Sequence, residues 1–162
     1  MKCCAFTGHR KIEAGHLGTI SSLLFRAITF AYREGCRTFV TGGALGFDTL
    51  AAKEIIRFRL SHPDVRLKLI IPCKNQADGW SPAQISVYEY VLSNADEIEY
   101  VADFYDSACM RERNKRLADC ADIMISYVSR PYSGAAQTVR MASALGKQIY
   151  NLYPTLEKTA QN

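Results

Sequence analysis

Short runs rich in β-branched and aromatic residues alternate with longer amphipathic segments along the whole chain. In residues 17–34, for example, apolar side chains recur every three or four positions, which is the period of a helix. This alternation predicts βαβ units, whose right-handed crossovers build a parallel sheet with helices on both faces. We therefore predict an α/β, Rossmann-like three-layer fold with a mostly parallel sheet of about six strands.

The pattern divides the chain into eleven segments and a polar end. We predict one domain over residues 1–153, because 162 residues are enough for a single core, and a polar C-terminal tail over residues 154–162 that frays. The predicted strands are residues 2–7, 38–41, 67–71, 97–101, 122–128 and 148–152, and the predicted helices are residues 17–34, 47–60, 82–93, 107–120 and 133–145.

Composition narrows the class of protein. No apolar run is long enough to span a bilayer, and the first seven residues lack the length and cleavage site of a signal peptide, so we expect a cytoplasmic protein without a membrane partner. The six cysteines include no CxxC pair, which argues against a metal site. A formal charge of +4 without a basic block argues against nucleic acid as the partner.

Ligands of such sheets bind beyond the carboxyl ends of the strands, so the loops after the strands are the candidate site. After the first strand come Thr7, Gly8, His9 and Arg10. Gly8 permits a tight turn and a close backbone approach, and His9 and Arg10 offer donors to a phosphate. The alternative is an ordinary loop with solvated side chains.

The loop after the second strand contains three glycines, Gly42, Gly43 and Gly46, before a predicted helix. Backbone N–H groups of such a turn can converge on an anion, and the helix dipole adds to the attraction. The run is neither GxGxxG nor a Walker A loop, and the alternative is a turn required only for packing. Asp48 either caps the helix or contacts a ribose hydroxyl.

The loop after the fifth strand contains Ser133, a good helix N-cap, followed by the small residue Gly134 and by Thr138. Small residues allow a phosphate to approach the exposed N–H groups of a helix. Arg113 and Asn114 on the preceding helix either face the same crevice or belong to a surface salt-bridge helix.

Three separated segments, residues 6–10, 41–48 and 110–138, together resemble the SLOG superfamily in order and spacing. That superfamily includes the LOG phosphoribohydrolases, which activate cytokinins, and DprA. Within it, the chain looks most like the YpsA-like proteins of bacteria and their prophages. The resemblance implies a Rossmann-like domain that binds a nucleotide.

The LOG motifs are only partly present. Arg113, Gly134 and Thr138 match them, whereas Asn114 replaces a lysine and Met141 stands at the position of the catalytic glutamate. Cleavage of an N-glycosidic bond passes through an oxocarbenium-like state that a carboxylate stabilises. Methionine cannot supply that charge, so the resemblance supports nucleotide binding and argues against LOG hydrolysis.

The leading hypothesis is a binding or sensor module for a nucleotide or an ADP-ribose-like derivative, with no assigned catalytic residue and no certain cofactor. One alternative is a LOG-like nucleotide N-glycosidase or another nucleotide-processing hydrolase, such as a phosphoesterase, that uses Asp48 or Glu112. A weaker alternative is a DprA-like binder of single-stranded DNA. The resemblance also implies that the chain can form a homodimer. Tyr88, Tyr90 and Trp80 are candidates for its interface or for the core.

Overall fold

The computed structural model describes residues 2–161, which form six strands, six α-helices and one 3-10 turn. The strands are β1 (Lys2–Gly8), β2 (Cys36–Thr41), β3 (Arg66–Cys73), β4 (Glu97–Ala102), β5 (Ile123–Tyr127) and β6 (Gln148–Asn151). The helices are α1 (Ile20–Arg33), α2 (Phe47–Arg59), α3 (Pro82–Asn94), α4 (Cys109–Cys120), α5 (Gly134–Ala144) and α6 (Tyr153–Gln161).

The strands form one sheet in the order β4-β3-β2-β1-β5-β6, and all five neighbouring pairs are parallel. This confirms the predicted fold class. The chain builds outward from β1 to β4 on one side and then returns to add β5 and β6 on the other. Neighbouring connections therefore diverge between β1 and β5, which is where a parallel sheet opens a crevice at its carboxyl edge.

The two faces of the sheet bury different sets of side chains. In β1, Cys4 and Phe6 enter one core, whereas Ala5 enters the other. The larger core packs under α1, α2, α3 and α6, and the smaller one packs under α4 and α5. The three-layer arrangement follows from this alternation, because each buried face of the sheet needs a covering layer of helices.

Two helices begin later than the sequence predicts. The first predicted helix, residues 17–34, is observed as α1, which begins at Ile20, and a separate 3-10 turn (Ala14–His16) precedes it. The helix predicted from residue 107 begins at Cys109, because the Asp106 carboxylate accepts hydrogen bonds from the backbone N–H groups of Ala108 (2.8 Å) and Cys109 (2.7 Å).

The residues predicted as a fraying tail form a packed helix as far as Gln161, so this expectation is corrected. Leu156 of α6 is buried, and the Glu157 carboxylate lies 2.6 Å from Nε2 of the buried His16. The Tyr153 hydroxyl donates to the Glu13 carboxylate at 2.5 Å. The segment is polar in composition, but one leucine and these contacts hold it on the 3-10 turn.

The three candidate interface aromatics have different environments. Tyr88 is buried in the larger core, Trp80 is half-buried against it, and Tyr90 is 48% exposed. Among residues 2–161, no helix combines the length and the apolar character that crossing a membrane requires.

Candidate functional site

A cavity of about 600 Å³ opens at the carboxyl edge of the sheet, where the connections that follow β1 and β5 diverge. We call it the switch-point cavity. Its walls come from the β1 loop, the start of α2, the first turns of α4 and the start of α5. Nine of the thirteen predicted site residues line it: Thr7, Gly8, His9, Arg10, Asp48, Arg113, Asn114, Ser133 and Gly134.

The lining of the switch-point cavity is strongly cationic. Five side chains carry a positive charge: Arg10, Lys11, Arg111, Arg113 and Arg130. Within the described part of the chain, Asp48 is the only carboxylate in this lining. Such an excess of positive charge in a concave site concentrates the field and attracts anions.

The N-terminus of α5 points into the same cavity. The Ser133 hydroxyl caps the helix by accepting from the backbone N–H of Ala136 at 3.1 Å. Gly134 and Ala135 follow in the lining, and their N–H groups have no acceptor within the helix, because the first turn of a helix lacks preceding carbonyls. These donors and the helix dipole suit a phosphate oxygen.

The His9 ring adds an N–H donor that lies close to the guanidinium of Arg130. Its Nε2 accepts from the backbone N–H of Ser129 at 2.9 Å, which places the ring proton of the neutral imidazole on Nδ1. That Nδ1 lies 3.4 Å from Nη2 of Arg130. Burial first, and then the charge of Arg130, lower the pKa of His9 and so favour its neutral form. An anion oxygen that accepts from both Nδ1 and the guanidinium would satisfy both donors.

Asp48 and Arg113 are buried residues of opposite charge in the cavity wall. The Arg113 guanidinium donates to the carbonyl of Gly42 at 2.6 Å and, from Nε, to the Asn114 side chain at 3.0 Å. The Asp48 carboxylate accepts from the backbone N–H of Ala44 at 3.2 Å. Burial raises the pKa of Asp48 to about 6, although Arg113 acts in the opposite direction. The alternative of Arg113 as a surface charge is therefore wrong, since its side chain is buried.

The remaining four predicted residues lie outside the cavity lining. A Cβ atom at Gly42 would lie 2.3 Å from the Arg113 guanidinium, and one at Gly46 would lie 2.1 Å from the carbonyl of Arg10. Gly43 has a φ of +70° and faces Ile71 instead of the cavity. Thr138 is fully buried and donates to the carbonyl of Gly134 at 3.0 Å.

The glycine-rich loop is thus closely packed at Gly42 and Gly46. Its amides also have partners: the N–H of Gly43 bonds to the Thr41 hydroxyl at 3.4 Å, and that of Ala44 bonds to Asp48. Glu112, the other carboxylate named as catalytic, lies outside the lining and accepts from Arg116 at 3.2 Å. Met141 packs against the smaller core.

Several lining residues were not selected from the sequence. Arg111, Arg130 and Lys11 lie beside selected residues along the chain, but their side-chain directions depend on where α4 and the β5 loop pack. Tyr132 and Gln137 also line the cavity. Adjacency to Arg10, Arg113 and Ser133 was the one available signal for these positions.

A six-stranded parallel sheet covered by helices on both faces, with a cavity at its switch point, defines a Rossmann-like α/β protein. The chain belongs to the YspA SLOG family, whose family model matches residues 4–154. This confirms the resemblance seen in the sequence.

Individual relatives agree with this assignment. A UPF0398 protein from Bacillus thuringiensis (strain Al Hakam) is 24% identical over 94% of this chain and 88% of its own length. Among solved structures, DNA processing protein A from Streptococcus pneumoniae has a TM-score of 0.64 at 16% identity. The same protein from Helicobacter pylori, described with its single-stranded DNA binding mode, has a TM-score of 0.64 at 19% identity. At such identities the likeness concerns the fold.

The two DprA structures are larger than this chain. The match covers 93% of this chain but 50% of the Streptococcus protein, and 91% of this chain but 63% of the Helicobacter protein.

Proposed function

We propose that this chain binds a nucleotide or a nucleotide derivative of the ADP-ribose kind, with its phosphates in the switch-point cavity, and that it acts as a sensor. The observation that carries the proposal is the convergence of five cationic side chains and the N-terminus of α5 on one cavity. A phosphate at that point would meet charge-assisted donors from three elements of the fold. Family membership supports a nucleotide as the ligand.

Calorimetric titration with ADP-ribose tests this proposal. We expect saturable binding with a Kd at or below about 100 µM, which corresponds to about 5.5 kcal/mol. Inorganic pyrophosphate should compete, because the cavity would hold the phosphates of both. If either compound fails to bind while circular dichroism shows an intact fold, the proposal is contradicted.

Single-stranded DNA is the competing ligand that the DprA likeness suggests. The cationic side chains line one cavity, whereas a strand-binding groove needs a basic stripe interleaved with aromatic residues. We therefore expect a 20-nucleotide oligothymidylate to bind more weakly than ADP-ribose at about 150 mM salt. The reverse order of affinities would favour the nucleic-acid function.

A hydrolase that uses Asp48 is the second candidate function, because this buried carboxylate lines the cavity and its pKa is raised to about 6. A group with that pKa can exchange a proton near neutral pH. The pair with Arg113 favours a structural role for Asp48 instead. We therefore keep hydrolysis as the alternative and test it directly.

We expect no release of free base from AMP, GMP, CMP or UMP at an enzymatic rate. Met141 occupies the position of the LOG glutamate; it packs against the smaller core and cannot stabilise a cationic sugar. Loss of such a stabiliser costs about a hundredfold or more in rate. Chromatography of the incubated nucleotides measures the base, and heat-denatured protein serves as the control. Release of free base at about 1 s⁻¹ would establish that the protein is a hydrolase.

Affinity for ADP-ribose should rise about three- to tenfold as the pH falls from about 8 to 5. The Asp48 carboxylate is charged above its pKa of about 6 and repels phosphate, and it is neutral below that value. The diphosphate of ADP-ribose keeps its charge across this range, so the change reports on the protein. Titrations at several pH values provide the measurement.

His9 also faces the cavity and gains charge on acidification, so a variant must separate the two groups. Asp48→Asn should give an affinity that varies little with pH. A variant that retains the full pH dependence would assign the effect to His9 and contradict the role of Asp48.

A further inference from the structure

A second cavity, of about 420 Å³, adjoins the switch-point cavity at the carboxyl ends of β3 and β4. Arg10 and Met110 line both cavities, so the two spaces meet at these side chains. We call the second space the aromatic pocket, because Trp80 and Tyr105 contribute to its walls. A ligand in the switch-point cavity can therefore extend into the aromatic pocket.

The two cavities differ in charge. The switch-point cavity has five cationic residues against one carboxylate, whereas the described lining of the aromatic pocket has one cation, Arg10, and one carboxylate, Asp78. Phosphate therefore belongs in the first cavity. The balanced second cavity suits an uncharged group that offers aromatic surface and hydrogen-bond donors.

Packing holds the Trp80 ring, and a backbone hydrogen bond holds the segment that carries Tyr105. The Trp80 indole makes an edge contact with the ring of buried Tyr88, at 5.1 Å between centroids and 71° between planes. Tyr105 has 65% of its surface exposed, and its backbone N–H donates to the Asn75 side chain at 2.9 Å. The loops after β3 and β4 are thereby joined at the pocket. Exposed ring faces of this kind are stacking surfaces for nucleobases.

Asp78 supplies the polar group. Its carboxylate accepts one hydrogen bond from the Asn75 amide at 3.3 Å and has capacity for more. A carboxylate is an acceptor only, so it favours bases with an exocyclic amino group, such as adenine, over uracil.

We infer that the aromatic pocket is the base subsite of a nucleotide whose phosphates lie in the switch-point cavity. The base stacks on Trp80 near Tyr105, and its amino group donates to Asp78. This inference rests on the proposed function, and it adds the part of the ligand that distinguishes one nucleotide from another.

The fluorescence of Trp80 tests the inference directly, because this is the only tryptophan in the sequence. Titration of the full chain with ADP should quench the emission in a saturable way, whereas pyrophosphate should bind with little change in emission. ADP should also bind at least about fivefold more tightly than pyrophosphate and than UDP in calorimetry.

Variants of the aromatic pocket separate the contribution of the base to the affinity from that of the phosphates. Tyr105→Ala, Trp80→Phe and Asp78→Asn should each reduce the affinity for ADP, and Asp78→Asn should also remove the preference over UDP. None should change the affinity for pyrophosphate. Phe104→Ala is the matched control, because this neighbour is 75% exposed and lies outside the lining. Tyr105→Ala alters an exposed side chain, so the test does not depend on whether the Trp80 variant folds.

Each outcome is decisive. If pyrophosphate fails to bind, the proposed function fails, and the base subsite fails with it. If pyrophosphate binds but ADP binds no more tightly, the cavity holds phosphate and the base subsite is wrong. If ADP binds more tightly but none of the three variants changes its affinity, the base lies elsewhere, which also overturns the inference.

Discussion

Replacement of Gly134 by aspartate should weaken binding of ADP-ribose and pyrophosphate by at least about a hundredfold. A Cβ atom at this position makes only an ordinary van der Waals contact, since its nearest neighbour, Nδ2 of Asn114, lies 3.8 Å away. The new carboxylate would occupy the N-terminus of α5 in the cavity lining. Repulsion between two charges about 4 Å apart amounts to about 4 kcal/mol at an effective dielectric constant of about 20.

The same replacement should not harm the fold. An acidic residue in the first turn of a helix interacts favourably with the helix dipole, by about 0.3–1 kcal/mol. Gly134→Asn is the matched control, because its side chain has nearly the same shape without the charge. Calorimetry measures affinity, and urea denaturation measures stability. Unchanged affinity in a folded Gly134→Asp variant would show that phosphates do not bind at α5.

Replacement of Arg113 by alanine should lower the free energy of unfolding by about 3–5 kcal/mol. It removes the cation opposite the buried Asp48 and the donor to the carbonyl of Gly42. The Gly42 carbonyl would lose its donor, and the buried Asp48 carboxylate would lose the nearby positive charge that favours its ionised form. A buried charge left without compensation is costly. Denaturation in urea at pH 7.5 measures the loss.

This loss should shrink at low pH. Burial raises the pKa of Asp48 above its unfolded value, so the native state binds the proton more tightly than the unfolded chain does. The resulting stabilisation is present below the unfolded pKa and is lost as the pH rises through the folded pKa. Without Arg113 the folded pKa is higher still. The variant should therefore recover part of its stability between about pH 8 and 5.

Arg111→Ala is the matched control on the same helix. Arg111 is exposed and lines the cavity, so its removal should change stability by less than about 0.5 kcal/mol. Loss of one charge-assisted contact should weaken ADP-ribose binding by about 1.5–3 kcal/mol. If Arg113→Ala proved as stable as the parent protein, the buried pair would not have the role assigned to it.

Local patterns predicted much of this molecule. The periods of the apolar residues predicted all six strands and the first five helices, because a helix face and a strand face each repeat along the chain itself. They missed α6, which has one buried leucine and depends on a contact between Glu157 and His16, 141 residues apart in sequence. A segment with so little apolar surface looks like a tail until its partner is known.

In the candidate site, too, local sequence patterns predicted some features and contacts between distant residues decided the others. The rule that ligands bind beyond the strands selected the loops after β1 and β5, and both lie at the cavity. The rule also selected the glycine run after β2, whose carbonyl at Gly42 instead faces Arg113, 71 residues away in sequence. A glycine-rich turn has the same sequence whether its backbone contacts a ligand or a neighbouring helix.

By itself the sequence determined the α/β class and the family, and it selected two of the loops that line the switch-point cavity, because these depend on periods and motifs within short stretches. Tertiary structure alone decided the strand order, the burial of Arg113 against Asp48 and the convergence of Arg111 and Arg130 on one cavity. Those features depend on distances between residues far apart in the chain. Such distances are set by the packing of whole helices on the sheet, which no local pattern encodes.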